Sequence, residues 1–108
     1  VRHFNPEFGG VLIAARERAL VRASAGGKVV ENRFDEELGH LVVVDHGSGI
    51  QSVYGYNAGV LVNVNEAVQK GQAVALSGKS GKAWVPGLYY AVRENGIARD
   101  PLNFRLWL

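Results

Sequence analysis

At 108 residues the chain has the length of one domain, and its 47% hydrophobic fraction can build a sizeable core. A formal net charge of only +2, carried on scattered basic residues, argues against nucleic-acid binding through a phosphate-tracking stripe. No apolar run approaches the length of a transmembrane helix, and the absence of Cys excludes disulfides and thiolate metal sites.

The 14 glycines and recurrent Val favour an all-β domain with many turns. The opening residues Val1-Arg2-His3-Phe4-Asn5-Pro6 lack the apolar centre of a signal peptide, and the chain starts without Met. The expectation is a single domain over 1–108, the C-terminal fragment of a longer exported protein.

Leu20 to Ser24, Gly26-Gly27 and Lys28 to Arg33 read as a hairpin, with the Gly pair supplying positive φ. Phe34-Asp35-Glu36-Glu37-Leu38-Gly39 reads as a polar connection. His40 to Asp45 is a run of mostly β-branched residues, the pattern of a strand buried on both faces. His46-Gly47-Ser48-Gly49 then turns the chain into a strand over Ile50 to Tyr56. Val60 to Val64 is a short apolar run, and Asn65 to Gln72 is a turn-rich link to a strand over Ala73 to Leu76. Ser77 to Lys82 reads as a flexible loop. Leu88 to Arg93 is the last long strand, closed by the type I′ turn signal Asn95-Gly96. No long amphipathic helix, repeat or internal linker is present, so the architecture is a β-sandwich or barrel-like sheet domain.

Several of these segments together resemble the LytM-type (lysostaphin-like, M23) metallopeptidase domain. Ala23-Ser24-Ala25-Gly26-Gly27-Lys28-Val29 is similar to the family's Ala-x-x-Asp-Gly-x-Val. Leu41 to Gly49 is similar to its Val-x-Ile-x-His-Gly-x-Gly. Val53-Tyr54-Gly55-Tyr56-Asn57 stands where the family has Leu-Tyr-Ala-His-Leu. Val62 to Gln72 resembles Val-x-x-Gly-x-x-Val-x-x-Gly-Gln, with Asn65 in place of the first Gly. Val85-Pro86-Gly87-Leu88-Tyr89-Tyr90-Ala91-Val92 resembles Gly-Pro-His-Leu-His-Phe-Glu-Val. The resemblance runs from about Phe8 to Phe104 and implies a duplicated-hybrid-motif-like sandwich of antiparallel sheets.

It does not carry the chemistry with it. Active members hold zinc with His-x-x-x-Asp and the second His of His-x-His; this chain has Phe8 and Leu12 at the first pair and Tyr89 at the last. Tyr56 and Gly87 stand where the two general acid/base histidines would be. Gly offers no ligand atom, and a neutral phenol is a poor zinc ligand beside N and S donors. The resemblance therefore implies a non-enzyme with no cofactor, of the degenerate branch whose members activate zinc-dependent N-acetylmuramoyl-L-alanine amidases in the periplasm at cell division. Peptidoglycan itself is a possible second partner.

Strand alternation places Ser52, Tyr54 and Tyr56 on one face, and Tyr89, Ala91 and Arg93 on another shared face. On a LytM-like fold Tyr54, Tyr56, Tyr89 and Arg93 would line the former active-site groove. Leu12 would form its floor, Leu38 its rim, and Trp84 would stand at its mouth. Tyr and Arg are favoured anchors of protein interfaces. The competing reading is that the tyrosines plug a dead pocket, that Leu12 is ordinary core and that Trp84 folds back as a lid. His3, His40 and His46 show no metal-ligand spacing, and a structural hydrogen bond is expected at His46. Gly78 to Lys82 lacks the spacing of a phosphate loop. Rival functions are a peptidoglycan-binding module, an enzyme using an unexpected metal site, and a biotinyl or lipoyl carrier, which lacks an exposed Lys in a hairpin turn.

Overall fold

The computed structural model describes residues 9–101. Ten strands follow one another: β1 (Val11–Ala14), β2 (Leu20–Arg22), β3 (Gly27–Asp35), β4 (Gly39–Gly47), β5 (Ile50–Asn57), β6 (Gly59–Val60), β7 (Ala67–Val68), β8 (Ala73–Leu76), β9 (Gly87–Glu94) and β10 (Ile97–Arg99). The larger sheet runs β1-β9-β5-β4-β3-β7, with β10 beside the second half of β9; the smaller runs β2-β8-β6. Every pairing between these strands is antiparallel.

The sandwich follows from which residues each strand turns inward. Val29, Val42, Val44, Tyr54, Tyr90 and Val92 of the large sheet meet Val21, Val74 and Ala75 of the small one in the principal core. The opposite face of the large sheet carries a second cluster of Leu41, Val43, Val53, Tyr56, Tyr89 and Ala91. The continuous run Leu41 to Val44 therefore supplies both clusters and is buried throughout, as the sequence predicts for a central strand.

The hairpin of β4 and β5 forms as read, turning at Ser48 and Gly49, both at positive φ. The β9–β10 hairpin also forms, with Asn95 at φ 52° and Gly96 at φ 82° as a type I′ turn requires. The first expected hairpin does not. β2 pairs with β8 and β3 with β4 and β7, so the chain changes sheets between Arg22 and Gly27. Neither Gly26 nor Gly27 adopts positive φ. A Cβ on Gly27 would collide with the Asp45 carbonyl, so this glycine serves close strand approach instead of a turn.

Ser77 to Lys82 is fastened rather than flexible. Ser77 Oγ donates to the Arg16 carbonyl (2.7 Å) and accepts from the Ala19 amide (3.0 Å). Ser80 Oγ donates to the Asn57 carbonyl (2.6 Å) and accepts from the His40 amide (3.1 Å). The Lys82 amide donates to the Glu37 carbonyl (2.9 Å), which ties this loop to the β3–β4 turn.

Candidate functional site

The outer face of the large sheet gathers most of the positions singled out in the sequence. Leu12 on β1 sits opposite Tyr89 on β9. A Cβ on Gly87 would lie 3.3 Å from Leu12 Cδ1. The rings of Tyr56 and Tyr89 meet edge to face with centroids 5.8 Å apart. Leu12, Tyr56, Gly87 and Tyr89 thus converge from three strands. Phe8 lies outside the described residues.

Tyr54 is elsewhere. It is buried in the principal core against Tyr90, with ring centroids 5.5 Å apart. Alternation fails because β5 carries a bulge: His40 pairs with Asn57 and Val42 with Tyr54, so Gly55 and Tyr56 together stand against Leu41 alone. Tyr56 takes φ 65°, a left-handed backbone rare for a bulky residue, and its ring turns onto the outer face. The Tyr56 amide is satisfied by the Leu38 carbonyl.

Tyr54 belongs to a polar relay between the sheets. Its hydroxyl accepts from the Ser24 amide (2.9 Å) and lies 2.8 Å from Ser52 Oγ. Tyr90 donates to Ser24 Oγ (2.8 Å). His46 ends the relay: Nε2 is 2.7 Å from Ser52 Oγ, and Nδ1 donates to the Gly26 carbonyl (2.7 Å). The histidine is structural, as expected.

Beside the tyrosine pair opens a cleft of about 680 Å³. One wall is the β3–β4 turn from Arg33 to Leu38; the other is Tyr89, Arg93 and the β10 hairpin at Gly96 and Ala98. Of the residues expected at a groove, Leu38, Tyr89 and Arg93 line it. Leu12 and Tyr56 belong to the packed cluster next to it. Trp84 is 90% exposed on the β8–β9 loop, outside the cleft lining, while its neighbour Ala83 packs on the outer cluster. It does not fold back as a lid.

Of the turn wall sequence reasoning named only Leu38, although three consecutive acids, Asp35-Glu36-Glu37, were there to be noticed. Asp35 Oδ1 accepts from the Glu37 amide (2.8 Å) and the Leu38 amide (3.0 Å) and so shapes the turn. These bonds, Leu38 foremost, hold the Asp35 carboxyl below its ordinary pKa, with a smaller contribution from Arg33. On the other wall burial pushes the Tyr89 hydroxyl up, against the opposing pull of the nearby Arg93 guanidinium.

This donor set does not fit zinc. Leu12 and Gly87 bring no ligand atom, and Tyr89 is a phenol that burial holds in its neutral form. Among the described residues no three of His, Cys, Asp and Glu gather as a metal site. What the arrangement offers is a polar-walled cleft beside a packed aromatic pair.

Comparison with known proteins accords with this geometry. The family description "Peptidase family M23" matches residues 7–101. The murein hydrolase activator EnvC of Escherichia coli K12 is 42% identical over 92 residues, 85% of this chain and 22% of that protein. Stage II sporulation protein Q of Bacillus subtilis is 35% identical over 86 residues, 78% of this chain and 30% of that protein. A zinc-containing peptidase from Vibrio cholerae superimposes with a TM-score of 0.88 at 26% identity, over 92% of this chain and 34% of the other. The chain spans about a fifth to a third of the length of these relatives.

Proposed function

The chain belongs to peptidase family M23, LytM-type, and from that premise we propose that it is a non-catalytic domain that binds and activates a zinc-dependent N-acetylmuramoyl-L-alanine amidase in the periplasm, during peptidoglycan splitting at cell division. The observation that carries this reading is the edge-to-face packing of Tyr56 on Tyr89 at positions where the resemblance puts a catalytic and a zinc-binding histidine. Two aromatic rings fill the hydrolytic site, and an open cleft remains beside them. Similarity to a murein hydrolase activator over most of the chain supports the same reading.

Activation requires that the cleft hold some element of the amidase better in its active state than in its resting state; equal affinity would shift nothing. A short helix or loop of the amidase is an occupant of suitable size for a cleft of this volume. Leu38 supplies apolar contact and Arg93 a directed charge.

The test is release of dye from labelled peptidoglycan by a purified periplasmic amidase with and without the domain. Stimulation by the wild type that fails with Arg93→Ala, at unchanged folding, supports the reading. Sacculus binding without stimulation would replace it with a peptidoglycan-binding module.

A further inference from the structure

The charges on the two walls of the cleft are not equivalent once internal pairs are removed. On the turn wall, Arg33 Nε bonds Glu31 at 2.7 Å and its Nη1 bonds Asp35 at 3.4 Å. The other Asp35 oxygen is occupied by turn amides. Arg33 and Asp35 therefore compensate one another within the wall. Glu36 and Glu37 are exposed and enter no ion pair among the described residues.

The opposite wall has the reverse sign. Glu94 pairs with Arg99 at 3.4 Å. Arg93 lies against the Tyr89 hydroxyl, a neutral group, and enters no ion pair among the described residues. Leu38 provides apolar surface in the same cleft, next to the nearly buried edge of Tyr89. Among the described residues the result is two unpaired negative charges on one side and one unpaired positive charge on the other.

Resting on the amidase-binding reading above, we infer that the cleft is a polarised receptor: it takes a protein segment that sets a Lys or Arg against Glu36 and Glu37, an apolar side chain over Leu38 at the edge of Tyr89, and a carboxylate against Arg93. A segment laid in reversed would bring like charges together on both walls. Such complementarity fixes orientation and speeds encounter more than it adds affinity. The β3–β4 turn is then the specificity element, and Arg93 the anchor common to any acidic ligand.

The experiment uses the amidases encoded by the same organism as probes, with dissociation constants measured by calorimetry at about 50 and about 300 mM salt. The variants are Glu36→Lys with Glu37→Lys, Glu36→Gln with Glu37→Gln, and Arg93→Glu. All three sites are at least partly exposed, so circular dichroism should show unchanged folding. The Lys pair should weaken binding about tenfold and the Gln pair about threefold, and added salt should weaken the wild type more than the Gln pair. If Arg93→Glu weakens binding and the Lys pair does not, polarity is wrong while the cleft remains the docking site. If an amidase binds and no variant matters, docking lies outside the cleft and the inference falls while amidase binding stands; if no amidase binds, the underlying reading falls as well.

Discussion

Tyr56 and Tyr89 pack with ring centroids 5.8 Å apart and planes at 63°, and both are almost fully buried, at 8% and 2% exposure. That burial changes what each tyrosine can be used to test. They are packing far more than contact surface, so truncation removes packing before it removes any partner.

Tyr89→Ala should therefore destabilise the domain by about 3 kcal/mol, the usual cost of deleting a buried aromatic ring. Tyr89→Phe keeps the ring and loses the hydroxyl with its interaction with Arg93, which should cost about 1 kcal/mol. Urea denaturation of both variants separates packing from hydroxyl. A Tyr89→Ala protein as stable as the wild type would mean that the ring is not part of the packing. Binding experiments belong with Leu38→Ala and Arg93→Ala, which leave the Tyr56–Tyr89 pair in place.

Ser80 is the staple between the β8–β9 loop and the β3–β4 turn. Ser80→Ala deletes the bond to the Asn57 carbonyl and the acceptor for the His40 amide. We expect a loss of about 1–2 kcal/mol. Hydrogen exchange should quicken at Gly39, His40 and residues 80–83 and stay unchanged in β9. Uniform acceleration across the domain would show global destabilisation rather than a local staple.

The strands were legible where one chemical signal dominated. The β-branched run of β4 and the Asn95-Gly96 turn each have one low-energy solution, and both form. The LytM-like motifs brought Leu12, Gly87 and Tyr89 to one face through simple antiparallel register. Tyr54 was placed on one face with Tyr56 because period-two reasoning cannot foresee a bulge, and within the Gly55-Tyr56 pair it is the tyrosine, not the glycine, that takes the left-handed φ of 65°. Gly26-Gly27 misled for the converse reason: glycine marks close approach as readily as a turn. The turn wall of the cleft was hidden because Asp35-Glu36-Glu37 looks like any solvated loop until the fold sets it across from Arg93.

The buried tyrosines predict an alkaline limit to stability. Burial raises the Tyr90 pKa well above the ordinary phenol value of 10.0, and that of Tyr89 in the same direction. A raised native pKa means that the unfolded chain releases these protons first as pH climbs. The folded state then binds more protons, so stability is held below about pH 10 and falls above it. Denaturation midpoints measured from about pH 9 to pH 12 should decline, and Tyr90→Phe should flatten that decline even though it lowers the plateau. An unchanged slope in Tyr90→Phe would show that this hydroxyl does not titrate with unfolding.

Trp84 tests how far the docking surface extends beyond the cleft. At 90% exposure its side chain contributes little to the fold, so Trp84→Ala should shift stability by less than about 0.5 kcal/mol. Its backbone is nonetheless placed: Ala83 packs on the outer cluster, and Lys82 is bonded to the β3–β4 turn. A large apolar ring held in solvent by a fastened loop is a costly arrangement unless something covers it. If the occupant of the cleft continues along β9 toward its first residue, Gly87, the ring becomes buried, and Trp84→Ala should weaken amidase binding about tenfold at unchanged stability. Equal affinity of Trp84→Ala and wild type would confine the docking surface to the region between Glu36 and Arg93.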